Sequence, residues 1–177
     1  MNKPEIRQVL RQAHEQMIEY MNGLSDADFT FAADDKWSAG QQMEHICLSL
    51  KPLRQIMMLP PFLLRRLWGK PNRPGRSYEA LVARYQQKLS EGGRATGRFI
   101  PKAVPFIKQE VLARAIRTEV EKIGHRLDHF SEQELDTLLL PHPLLGKLTL
   151  REMMYFSIYH AGHHQKSIAS SLSEGRR

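Results

Sequence analysis

Four long stretches of this chain place apolar residues at helical spacing, and no stretch alternates them at the two-residue period of a strand. The first runs from Pro4 to Leu24, with Ile6, Leu10, Ala13, Met17, Met21 and Leu24 on one face. The second opens behind Ser38, with Gln41 as its capping-box partner, and runs from Ala39 to about Leu59. It is apolar nearly all round. Pro52 is expected to kink it, because the ring removes one backbone bond and clashes one turn back. The third spans Phe106 to Phe130, and the last opens on a capping box of Thr149 with Glu152 and runs from Leu150 to about Leu172. Four helices of roughly 20 residues, joined by loops and one long connection, predict an all-α four-helix bundle.

The connections are read from their breakers. Asp26–Lys36 reads as a loop with one short turn, and Pro61–Gly75 as an irregular connection. Ser77 caps a shorter helix from Tyr78 to about Glu91, and Ser131 with Glu134 starts one more helical turn. Pro141-His142-Pro143 and Gly146 mark a loop before the last helix. All of this fits a single domain over residues 1–177, with about 60–105 as an insert or crossover between the second and third helices.

The net charge of +7 is unevenly placed. Thirteen Lys or Arg stand against only Glu79 and Glu91 between Lys51 and Lys108, so the remainder of the chain is net acidic. Arg interleaved with Trp and Leu around Arg65-Arg66-Leu67-Trp68 is compatible with a nucleic acid or a membrane surface. The plainer reading is that these apolar residues cover the bundle while the cations are solvated. No run reaches the roughly 20 apolar residues of a membrane span. The N-terminus has no apolar signal core, and Cys47 stands alone, so a reducing cytoplasm is the expected setting.

Among eight histidines, His160 and His164 are four apart, which stacks them on one helical face within reach of one ion. His163 lies on the adjacent stripe. Met153, Ser157 and Ile168 suggest that the His160 face points to the core, where unpartnered imidazoles are costly. A third ligand is available in His45, the one histidine of the second helix. His14, His125 and His129 have polar neighbours and read as solvated, while His142 reads as a loop hinge or a residue at a site mouth. Cys47, two residues from His45, reads as core. Glu44, Glu119 and Glu152 are the candidate general bases, none assigned, and Tyr155 and Tyr159 read as packing residues.

Trp37-Ser38-Ala39-Gly40-Gln41-Gln42-Met43-Glu44-His45-Ile46, then His142-Pro143-Leu144-Leu145-Gly146, then His160-x-x-x-His164-x-x-x-Ile168, resemble the DinB-like (YfiT-like) superfamily. The resemblance covers about residues 1–60 and 106–172 and is to a subgroup with an HP-x-x-G loop before the last helix. It implies an up-down-down-up bundle, with zinc or nickel on His45, His160 and His164. Characterised relatives are low-molecular-weight-thiol transferases, a maleylpyruvate isomerase and hydrolases. The implied function is therefore a metal-dependent transfer or hydrolysis on a small molecule, with a thiol as co-substrate, and the basic segment is a separate reason to expect that molecule to be anionic. Gln41 stands where an acidic residue is common in the family, and Gln165 follows the last ligand. A non-catalytic metal- or ligand-binding bundle, a homodimer, and an anionic partner for the basic segment are the alternatives left open.

Overall fold

The computed structural model describes residues 1–33 and 36–175. Asp34 and Asp35 of the expected 26–36 loop, and Arg176 and Arg177, lie outside the described residues. The elements are α1 (Lys3–Asn22), α2 (Asp26–Thr30), α3 (Ala39–Met57), α4 (Pro61–Trp68), α5 (Tyr78–Ser90), α6 (Gln109–Leu127), α7 (Glu132–Thr137), β1 (Leu139–His142), β2 (Gly146–Thr149) and α8 (Leu150–Gly175). The chain is thus mostly helical with one small two-stranded sheet. No described helix is long and apolar enough to cross a membrane.

Capping boxes start three of the four long helices, α1, α3 and α8. Asn2 accepts from the Glu5 amide while the Glu5 carboxylate accepts from the Asn2 amide, and Ser38 with Gln41 does the same for α3. Thr149 and Glu152 exchange the equivalent bonds at the start of α8. Helix α1 packs along α6 and α8, and α3 packs along the same two helices. Ile6, Leu10, Met17, Met43, Ile46, Ile116 and Ile123 fill the space between them. Polar ties fix the pairing: Lys3 Nζ donates to Phe130 O at 2.7 Å, and Arg117 bridges to Glu15. On the other side Arg54 pairs with Glu119, and Arg126 Nε donates to Met57 O at 2.7 Å.

Several expectations change. The segment after Pro60 is not irregular throughout, because α4 occupies its first half. A proline costs nothing in the first turn of a helix, where its missing N–H has no partner anyway, so the same Pro60-Pro61 pair that ends α3 starts α4. Helix α3 ends at Met57, two residues short of Leu59, with Pro52 inside it. The third long helix begins with a 3-10 turn at Phe106–Lys108 and ends at Leu127.

The loop before the last helix is a β-hairpin, with Leu139 opposite Thr149 and His142 opposite Gly146. Its strands are four residues each, too short to leave a legible alternation. Gly146 has φ +75°, and His142 Nδ1 accepts from the amides of Leu144 and Leu145 at 3.1 Å each. The histidine therefore closes its own turn, as an Asn or Asp side chain does in an Asx-turn.

The long crossover is tied down at one buried carboxylate. Glu152, 1% exposed, accepts from Arg73 through two bonds, from Arg76, and from the Arg76 and Thr149 amides. Burial alone would raise its pKa, but the Arg73 guanidinium and these amides hold it below the usual carboxylate value. Two cations of the basic segment are thus internal counter-ions.

Candidate metal centre

His160 and His164 lie one turn apart on α8 and face His45 on α3. The His160 Nε2 atom is 3.2 Å from His45 Nε2 and 3.0 Å from His164 Nε2, and the three donor atoms all lie within 4.8 Å of one another. All three residues are buried, at 7%, 4% and 7% exposure in chain order.

Two outer nitrogens are held by acceptors. His45 Nδ1 is 2.7 Å from the Phe99 carbonyl, and His164 Nδ1 is 2.8 Å from Gln42 Oε1. Gln42 donates its amide nitrogen to Trp37 O at 3.0 Å, which turns its oxygen toward His164. Since an acceptor must receive a proton, both Nδ1 atoms carry hydrogen and both Nε2 atoms carry lone pairs. His160 Nε2 has one proton to offer and two lone pairs beside it. Adding a proton is opposed, because burial and then the neighbouring His164 and His45 hold His160 well below the ordinary histidine value. Burial does the same to His164, and lowers His45 in spite of the Phe99 carbonyl.

A cation resolves this arrangement. Ligand nitrogens at about 2.0–2.1 Å around a tetrahedral ion are about 3.3 Å apart, close to the two separations that His160 Nε2 makes. The donor set and its outer acceptors therefore fit a divalent metal.

A cavity of about 310 Å³ opens beside His45 and His160. One wall is helical, from Ile46, Ser49 and Leu50 of α3 and Met153 and Phe156 of α8; the other comes from residues 94–99 of the crossover and the tip of the hairpin. Leu144 at that tip lies against Gly93, where a Cβ would stand 2.5 Å from Leu144 Cδ1. No carboxylate lines the cavity among the described residues.

The other candidate residues fall elsewhere. His163 is half-buried between Tyr85 and Tyr159, outside the group of three. His14 is not solvated but buried at 2% exposure, donating Nδ1–H to Leu10 O at 2.8 Å and lining the cavity. Burial lowers its pKa to about 4. Polar neighbours in sequence do not imply exposure for His14, because a helix puts residues one and two apart on different faces. His125 and His129 are exposed, and His142 lines the cavity.

Glu44 accepts from the Lys102 amide, Glu119 from Arg54, and Glu152 from Arg73 and Arg76. Burial pushes the Cys47 thiol up to about 12, which disfavours a thiolate there. Tyr155 packs on Tyr78, and the Tyr159 hydroxyl accepts from Gln86. Gln41 caps α3, while its neighbour Gln42 touches a candidate ligand. Gln42 precedes His45 by three residues and shares its face, a signal present in the sequence. The Phe99 contact uses a backbone carbonyl and leaves no signal in side-chain identity.

No curated protein matches the sequence. The family model of the DinB superfamily matches residues 9–168, a span that includes all three clustered histidines and most of the chain, and the chain belongs to the DinB superfamily.

Proposed function

We propose that this chain is a metal-dependent enzyme in which His45, His160 and His164 hold one divalent ion, zinc or nickel, beside a small-molecule cavity. The observation that carries this reading is the convergence of three Nε2 atoms in a buried space while Phe99 O and Gln42 Oε1 occupy two of the outer nitrogens. An ion on three neutral ligands keeps its double charge and an open position, and so lowers the pKa of a bound water or thiol. That supports transfer or hydrolysis, with a low-molecular-weight thiol as co-substrate for transfer.

The chain's own contribution is to hold and exclude. Phe99 O and Gln42 fix the tautomer and tilt of two imidazoles. The apolar wall of Leu50, Met153 and Phe156 keeps bulk water from the reacting end. Arg94 and Arg98 line the cavity from the crossover without an ion-pair partner among the described residues, which suits an anionic end on the substrate.

We also read the domain as a single up-down-down-up bundle of α1, α3, α6 and α8. Supporting it, Lys3 meets Phe130 and Glu15 meets Arg117, as in an antiparallel pair. Cys47 meets Leu112, Arg54 meets Glu119 and Met57 meets Arg126, as in a parallel pair. His45 and Gln42 meet His160 and His164 in reversed order. The lone, half-buried Cys47 suits a cytoplasmic setting.

The test is elemental analysis of the purified protein, followed by a panel of small thiols with electrophiles, and of esters and amides, on zinc, nickel and manganese forms. Metal-dependent turnover is expected, and turnover indifferent to chelation would reject the mechanism. One observation favours a second reading, a non-catalytic binding bundle: no carboxylate base faces the cavity among the described residues. Tight metal uptake with no turnover across the panel would support it.

A further inference from the structure

The cavity is also lined by two histidines outside the clustered three, His14 from α1 and His142 from the hairpin. Their tautomers are fixed by the backbone, and in opposite senses. His14 Nδ1 faces the Leu10 carbonyl at 2.8 Å and must donate, so its Nε2 is an acceptor. His142 Nδ1 receives the Leu144 and Leu145 amides, so it carries no proton, and its Nε2–H is a donor.

Neither Nε2 atom has a partner in the described chain. Ser171 Oγ is the one described side-chain atom that is both sealed from solvent and unpartnered, so the two imidazole nitrogens keep open surface. The space their rings line is the cavity. His14 is otherwise buried on every side, and a leucine or methionine at that position would avoid facing a polar atom into an apolar chamber.

We propose that His14 and His142 form a subsite for an uncharged polar group carrying both a hydrogen-bond acceptor, received by His142 Nε2–H, and a donor, received by His14 Nε2. A carboxamide is the simplest such group. Burial lowers both pKa values to about 4, so the pair stays neutral at physiological pH and offers no charge to an ion. The His142 ring packs on Phe156, which stacks on His160, so a group held here lies one aromatic ring from the candidate metal centre. As a statement about substrate, the proposal rests on this cavity being the reaction chamber; as a statement about binding, it is independent of the ion.

The test compares three probes of matched length by ligand-observed NMR titration: hexanamide, 2-heptanone and hexylammonium. It is run on the metal-loaded and the chelator-stripped protein. Hexanamide should bind about fivefold tighter than 2-heptanone, which lacks the donor, and at least about tenfold tighter than hexylammonium, whose charge meets no carboxylate among the described residues lining the cavity. His142→Asn keeps an acceptor for the Leu144 and Leu145 amides, so the turn survives while the Nε2–H is lost. It should weaken hexanamide and 2-heptanone by the same factor. His14→Asn can still donate to Leu10 O but removes the acceptor, and should erase only the preference for amide over ketone.

2-Heptanone binding as tightly as hexanamide would overturn the proposal, as would an unchanged preference in both variants. So would an ordering seen only in the metal-loaded protein. The ordering intact in a protein that takes up no metal would overturn the metal reading alone.

Discussion

The two walls of the cavity are held in place by different physics. The helical wall, from α3 and α8, sets its side chains by helix register: once the helices pack, His45, His160 and His164 have little freedom. The other wall, from residues 94–99 and the hairpin tip, has no register to inherit. It is placed by a few specific ties, chiefly Glu152 to Arg73 and Arg76, His142 to two backbone amides, and Phe99 O to His45. The difference suggests a division of labour. Rigid helices carry the geometry of the three histidines, while a wall held by discrete polar contacts can change its lining without disturbing that geometry.

The sharpest way to break this comparison is at the helical wall itself. The double change His160→Ala/His164→Ala should take metal content from about one ion per chain to near none, while His125→Ala, on an exposed residue, should change nothing. Elemental analysis with circular dichroism checks both, and full occupancy in the double variant would reject the site. This wall was also the legible one. Four-residue spacing on a helix identifies a shared face, and the capping boxes at Ser38 and Thr149 mark where those helices start. The burial of His14 is not legible in the sequence, because its surroundings come from other elements and not from its chain neighbours. Phe99, Arg94 and the His142 turn could not be read from the sequence, since a crossover's path depends on long-range ties such as Glu152, whose partners lie 76 and 79 residues away.

The next largest effect should come from the other wall's anchor. Glu152→Ala removes a nearly fully buried carboxylate, the partner of two guanidinium groups and of the α8 cap. Breaking such a pair costs about 3–5 kcal/mol, and the lower end is expected because both arginines are partly exposed and can turn to water. Urea unfolding measures the loss. Hydrogen exchange should rise first around residues 73–76 and the hairpin; uniform destabilisation would show that Glu152 does not anchor this wall in particular.

Acid should act on His14 with a similar magnitude. Its pKa is about 4 in the folded chain, against 6.5 when unfolded. Below pH 6.5 the unfolded chain takes up a proton that the folded chain refuses, so stability falls as pH drops from 6.5 toward 4 and is flat above. The contribution is on the order of 3 kcal/mol by pH 4. In chelator-stripped protein, His14→Leu should therefore lose less stability than the parent between pH 7 and pH 4.5. Parallel curves would mean that the folded protein lets His14 ionise.

The smallest and most diagnostic effect concerns two adjacent glutamines. Gln41 and Gln42 are chemically identical and one residue apart, yet a helix turns them 100° from each other and gives them different work. Gln41 closes the α3 capping box, whereas Gln42 is oriented by Trp37 O and receives His164 Nδ1–H. Outer partners of ligating histidines typically contribute 10–100-fold in metal affinity. Gln42→Leu should thus weaken metal binding by about that factor, because His164 loses the acceptor that holds its Nδ1 protonated and its Nε2 free. Gln41→Leu should cost about 1 kcal/mol of stability from the cap and leave affinity alone. Chelator competition on both variants, with urea unfolding alongside, separates the two effects. Equal affinities in the two variants would mean that His164 is held by packing alone, and that the helical wall needs no polar support to present its ligands.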